Sequence, residues 1–241
     1  MRAWLAATVL VACAGAPAAA QQPVGEPACK PTKNETFACR LGERELRVVK
    51  GSVSPSGRYA IAWEPGDEEA KRRVDEDEVG NKSTISLHIA NVLISLPDGK
   101  VVTPLAGDHY GDLTNLNHHQ RYAYWSSDSR YLVTIDNQRY ETPVVDAIYF
   151  RDDGGILGPF SLVPFFKGTL GREFKRRRLK GDPNKFVYQI DAESVATDGT
   201  VVANGDMGVF KQDYFDFEMR LKIMPGKAGL AAKLVSVKIK S

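Results

Sequence analysis

Short apolar runs with the two-residue period of half-buried strands recur along most of this chain, broken by clusters of Ser, Asp, Gly and Pro. "ELRVVKGSV" and "RYAIAWE" flank Ser54-Pro55-Ser56-Gly57. "QRYAYWS" and "RYLVTID" flank Ser126-Ser127-Asp128-Ser129, and "KFVYQIDAESV" and "TVVANG" flank Ala196-Thr197-Asp198-Gly199. These residue types tolerate the backbone angles of a tight turn, so each stretch predicts a hairpin. The turns recur at offsets of 72 and then 70 residues, from Gly57 to Ser129 to Gly199, and the ungapped match sets Tyr59, Tyr131 and Val201 at one position.

Each hairpin is followed by another. The second hairpins are "ISLHIANVLISLPDGKVVTPL", turning at Asp98-Gly99, "VVDAIYFRDDGGILGPFSLV", turning at Asp153-Gly154, and "YFDFEMRLKIMPGKAGLAAKLVSVKI", turning at Pro225-Gly226. From first to second turn the spacing is 42, 25 and 27 residues, and the excess in the first copy corresponds to the charged stretch 65–82. The expectation is an all-β chain: a propeller-like array of about three four-stranded antiparallel units, with another sandwich or barrel as the alternative. Residues 21–44 form an N-terminal segment before a repeat domain at 45–241, whose units run over about 45–106, 118–165 and 185–241. Pairing of "TFACRLGERELRVV" with the C-terminal "KLVSVKIKS" would tie the chain ends together. Helical pattern is scarce; only 66–79 and 167–180, both rich in charge, have room for two or three turns.

The first turn motif resembles the blade signature of WD-like β-propellers in exported bacterial proteins, an aromatic residue followed by Ser-Pro-Asp-Gly, a basic residue and a strand. Trp125-Ser126-Ser127-Asp128-Ser129-Arg130 comes nearest, and Ser54-Pro55-Ser56-Gly57-Arg58 next; the third copy lacks both the aromatic and the basic residue. The resemblance covers about 40 residues of motif. It implies that the turn joins neighbouring strands of a four-stranded blade and that the later Asp-Gly turn joins the outer pair. The 70-residue period exceeds the usual 40–50 residues per blade, and three units fall short of the usual 4–8 blades.

Composition adds compartment. "MRAWLAATVLVACAGAPAAAQQ" has a basic residue, Arg2, an apolar core from Trp4 to Ala16 and small residues Ala18-Ala19-Ala20, the three parts of a secretory signal. The core is shorter than the roughly 20 residues a membrane helix needs, and no later stretch is apolar enough to span. A rival reading takes Leu10-Val11-Ala12-Cys13 as a lipobox, anchoring the chain through a lipidated Cys13. Export places Cys29 and Cys39 in an oxidising compartment, where a disulfide is the natural pairing. Formal net charge is +2, or +1 without Arg2, so no global field favours nucleic acid or membrane. The expected location is the periplasm or the exterior.

Candidate chemistry is sparse. The chain has no G-x-S-x-G, H-E-x-x-H, Walker loop, G-x-G-x-x-G or paired C-x-x-C. "GDHYGDLTNLNHHQRY" gathers His109, Asp112, His118 and His119, ordinary ligands for a divalent metal, in the connector between the first two units. Its spacing matches no metal signature, so a solvated loop and no cofactor is the competing expectation. "REFKRRRLK", residues 172–180, carries six bases and one acid; Arg176, Arg177, Arg178 and Lys180 are candidates for an anionic partner, either an envelope protein or an anionic surface component. Tyr122 and Tyr124 alternate with Trp125 on opposite strand faces, which favours core packing over a sugar platform. The function these features point to is an exported, non-enzymatic binding or scaffold module of the bacterial envelope. The alternative is an exported hydrolase or metal-dependent enzyme with its site in residues 107–119.

Overall fold

The computed structural model describes residues 29–31, 37–41, 44–65, 89–107, 120–138, 141–179, 182, 185–209 and 214–240. The fold is all-β, with three antiparallel sheets, each a meander in which every strand pairs with its sequence neighbours. The first holds β1 (Cys29–Pro31), β2 (Phe37–Leu41), β3 (Arg44–Val48), β4 (Tyr59–Pro65), β5 (Ile89–Ser95) and β6 (Val101–Leu105). The second holds β7 (Gln120–Trp125), β8 (Tyr131–Asn137), β9 (Val144–Phe150) and β10 (Ile156–Ser161). Helix α1 (Val163–Arg176) follows, and the third sheet is β11 (Phe186–Val195), β12 (Thr200–Val209), β13 (Tyr214–Gly226) and β14 (Gly229–Lys240). β1 and β2 extend the first sheet, their ends joined by the Cys29–Cys39 disulfide between directly paired residues.

The sheets stack with the second in the middle, so its strands bury both faces. Leu132, Ile148 and Phe150 meet Ile61, Trp63, Ile89 and Leu93 of the first sheet. The alternate positions Tyr131, Val133, Ile135, Val145 and Ala147 meet Ile190, Val201, Ala203, Met207, Phe217, Met219 and Leu221 of the third. A third cluster, on the far face of the first sheet, joins Cys39, Leu46, Val48, Ala60, Ala62, Val92 and Ile94. None of the three clusters contains residues of both the first and the third sheet.

The repeated turn keeps its left-handed residue in all three copies. Gly57, Ser129 and Gly199 all adopt the left-handed conformation, with φ of 68°, 61° and 81°. Their N–H groups donate to Ser54, Ser126 and Ala196 oxygens, and the carbonyls of Arg58, Arg130 and Gly199 accept from Leu96, Phe150 and Ile223 at 2.8 Å each. The tyrosine after the turn then reaches the next sheet. Tyr59 packs against Trp125 and Phe150, with ring centroids 6.5 and 4.5 Å away. Tyr131 lies so close over Gly199 that a Cβ there would meet its ring at 3.0 Å. Ser129 Oγ accepts from Ser56 N–H at 2.9 Å, and Trp125 Nε1 donates to the Ser52 carbonyl at 2.9 Å.

Four sequence expectations need correction. The helix begins at Val163, four residues before the expected 167, and ends at Arg176, because Pro164 suits a first turn and Phe166, Leu170 and Phe174 form a buried stripe. The last hairpin turns at Lys227–Ala228, since β13 keeps pairing through Gly226↔Gly229. β14 pairs with β13, and β2 and β3 lie in the first sheet, so the chain ends do not share a sheet. Finally, Thr200 and not Val201 takes the place of Tyr131: Ser126 N–H donates to the Tyr131 carbonyl, but Ala196 N–H donates to that of Thr200, one residue sooner. The stretch 66–79 lies outside the described residues.

Candidate functional site: a basic trough on the inserted helix

Helix α1 connects the second sheet to the third and is held by one apolar side. Phe166, Thr169, Leu170 and Phe174 are buried against the shared core, and the Phe174 and Phe186 rings stack at 5.9 Å. Its end is well defined. Arg178 takes a left-handed φ of 54°, its N–H donates to the Lys175 carbonyl, and Leu179 N–H reaches back to the Phe174 carbonyl at 3.2 Å. This is the two-bond Schellman closure, with the Leu179 side chain packed on the core beside Phe174. Lys175 and Arg176 in the last turn complement the negative end of the helix dipole.

The opposite stripe is different. Pro164, Lys167, Gly168, Gly171, Arg172 and Lys175 recur at the spacing of one helical face and, with the Phe186 ring, line a groove of about 440 Å³. Gly168 and Gly171 form a floor without side chains, and three cations stand over it. Only one glycine has a packing reason: a Cβ at Gly171 would meet Phe186 at 3.3 Å, whereas at Gly168 its nearest neighbour is Arg172 Nη1 at an ordinary 3.7 Å. A glycine inside a helix costs roughly 1 kcal/mol relative to alanine, so Gly168 weakens the helix without any local crowding to explain it. Among the described residues no carboxylate lies within ion-pair distance of Lys167, Arg172 or Lys175; Arg172 Nη2 donates to Thr169 Oγ1 at 3.2 Å.

The structure divides the predicted basic cluster. Arg176 and Arg177 both bind Glu173, at 2.6 and 3.3 Å. The hydrogen bond from Arg176 is the main cause holding the Glu173 carboxyl below its usual range, with Arg177 adding to it against partial burial. Arg178 closes the helix, and Lys180 lies outside the described residues. Lys167, on the same face as Arg172 and Lys175, was missing from the predicted cluster, which followed consecutive bases; the helical period starting at Pro164 is the signal that would have found it.

A second polar group lies between the first and second sheets and is closed to solvent. The Arg121 and Asp136 side chains are fully buried and paired at 3.3 Å, on directly opposed positions of β7 and β8. Arg121 also donates to the Ala106 carbonyl. Asn91 Nδ2 donates to the Gly107 carbonyl at 2.7 Å, and Thr134 and Asp146 sit opposite one another on β8 and β9. Burial raises the Asp146 carboxyl above its usual range, while the Arg121 charge pulls it down. With no exposed surface this layer organises the interface. Gly107, where β6 leaves the stack, lies so near Asp136 and Arg121 that a Cβ would strike both.

His109, Asp112, His118 and His119 lie outside the described residues. Among the described residues no three His, Cys, Asp or Glu side chains gather as a metal site, and no helix is long and apolar enough to cross a membrane. Tyr122 and Tyr124 lie on the β7 face toward the third sheet, their rings 6.1 Å apart, with Tyr124 packed against the shared core; Trp125 lies on the face toward the first. Burial first, then the Asp191 charge, pushes the Tyr124 hydroxyl up to about 12. Comparisons with protein-family models, with curated proteins and with solved structures return no match.

Proposed function

We propose that this chain is an exported, non-enzymatic binding module of the bacterial cell envelope, a propeller-like array of stacked sheets whose inserted helix presents a cationic trough to an anionic partner. The observation that carries the reading is the trough itself: Lys167, Arg172 and Lys175 above a glycine floor, on a helix anchored by Phe166, Leu170 and Phe174. Recognition elements on connectors of a rigid frame are a common arrangement. The Cys29–Cys39 disulfide and the signal-like first 20 residues support export to the periplasm or beyond. The repeated left-handed turn at Gly57, Ser129 and Gly199 supports the propeller-like description.

The test compares wild type with Lys167→Glu/Arg172→Glu/Lys175→Glu in titrations against sodium polyglutamate. Wild type is expected to bind, with affinity falling steeply as salt rises, and the charge-reversed variant to lose that binding. Equal behaviour of the two proteins overturns the reading. Mass spectrometry of the exported protein tests the compartment: a chain starting at Gln21 supports release, and a lipidated Cys13 replaces it with anchoring.

A further inference from the structure

Resting on that reading, we infer that the α1 trough takes an extended acidic peptide segment of a partner protein, about four residues long, read by charge at its walls and by backbone approach at its floor. The dimensions come from the helix. Lys167 and Lys175 are eight residues apart, about 12 Å at 1.5 Å per residue, and an extended chain covers about 3.3–3.6 Å per residue. Arg172 falls between them on the same face, so cations are available along the whole length. Gly168 and Gly171 remove the side chains that would otherwise hold a ligand backbone away, and Pro164 and Phe186 give it apolar contact.

The same features disfavour a membrane surface. A bilayer rewards diffuse charge from every base together with exposed apolar anchors. Here Arg176 and Arg177 are committed to Glu173. The exposed large apolar residues among those described, Val101, Tyr214, Met224 and Val235, all lie on or beside sheets, and none is on α1. The guanidinium and ammonium groups lining the open groove suit carboxylates.

The experiment uses the mature protein and three probes: a fluorescent, end-blocked octapeptide of alternating Glu and Ala, phosphatidylglycerol vesicles, and inorganic phosphate. Two variants accompany wild type. Lys167→Glu/Arg172→Glu/Lys175→Glu reverses the walls, and Gly168→Leu fills the floor with a good helix former while leaving every charge in place. The expected result is salt-sensitive peptide binding, weakened roughly tenfold or more by the reversal. Gly168→Leu is expected to abolish peptide binding while keeping or raising the unfolding midpoint. Peptide binding unaffected by Gly168→Leu overturns the inference, because diffuse charge would then suffice. Binding of vesicles or phosphate without peptide overturns it while leaving an anionic partner in place. Failure of all three probes overturns both.

Discussion

Replacing Arg121 with Met tests how much the polar layer buried between the first and second sheets contributes to stability. The Arg121 side chain is fully shielded, 3.3 Å from an equally shielded Asp136, with Asp146 nearby. At that separation and an effective dielectric of about 20, the attraction lost is about 5 kcal/mol. A ceiling comes from the alternative open to the Asp136 carboxylate once Arg121 is gone, which is to take a proton. From a reference value near 3.9, that costs about 4 kcal/mol at pH 7, at 1.36 kcal/mol per pH unit. Both figures agree with the roughly 3–5 kcal/mol typical of breaking a buried pair from one side. For a chain of this size, 4 kcal/mol corresponds to a fall in Tm of roughly 8–16 °C. The proton route also gives a signature: the loss shrinks by about 1.4 kcal/mol per unit as pH falls from 7 toward 4. Urea unfolding followed by tryptophan fluorescence reads the right interface, since Trp63 belongs to its core and Trp125 packs against that core. A loss at pH 7 below about 1 kcal/mol, or one equally large at pH 4, would refute the argument.

Asp146→Asn should behave in the opposite sense. A carboxyl whose folded pKa is raised contributes most favourably below its unfolded value, and that contribution is lost as pH rises through the folded value. The variant is therefore expected to melt higher than wild type at pH 7 and level with it near pH 3; a lower melting point at pH 7 contradicts the assignment of burial as the main cause. Gly57→Ala and Gly199→Ala separate backbone strain from crowding, because both residues have φ near +70 to +80° but only Gly199 lies beneath Tyr131 and the Ile223 carbonyl. Gly57→Ala is expected to cost about 1–2 kcal/mol and Gly199→Ala clearly more in denaturant titrations; equal costs would show that the Tyr131 contact yields freely.

What the sequence made legible was governed by local backbone chemistry. The Ser, Asp and Gly turns carry their conformational requirement in their own residues, so the hairpins, their spacing and the opposite orientation of Tyr124 and Trp125 could be read directly. What it concealed depends on neighbours distant in sequence. Arg121, Thr134, Asp136 and Asp146 alternate with apolar residues as if facing water, yet a sheet closes over them. Strand period reports two faces; it does not report what covers each. The helix start was hidden for a related reason, because "LVPFF" is a continuous apolar run that suits strand and helix alike until Pro164 is given its first-turn role. The basic run read as one patch until the helix rotated its members apart, sending Arg176 and Arg177 to Glu173 and leaving Arg172 and Lys175 with Lys167.

One missing residue explains how the stack ends. In the first two units the left-handed residue is followed by Arg and then Tyr, whose ring starts a forward face that continues through Ile61 and Trp63, or through Val133 and Ile135, into the next sheet. In the third unit the Arg position is absent, so Gly199 is followed at once by Thr200, and Thr200 begins the forward face. Because strand faces alternate, the residues that follow on that face are Val202, Asn204 and Asp206, set opposite Arg220, Glu218 and Asp216 on β13. Beyond them, Glu218 and Asp216 face Lys238 and Lys240 on β14. Burying such a face against another sheet would strip water from charges that have only surface partners, at a cost apolar contact does not return. An ungapped reading that places Val201 with Tyr131 would instead turn Val201, Ala203 and Met207 outward, the slip by which one residue exchanges the two faces of a strand. The shortened turn therefore keeps the third sheet's apolar side on the second and gives the stack a wettable end.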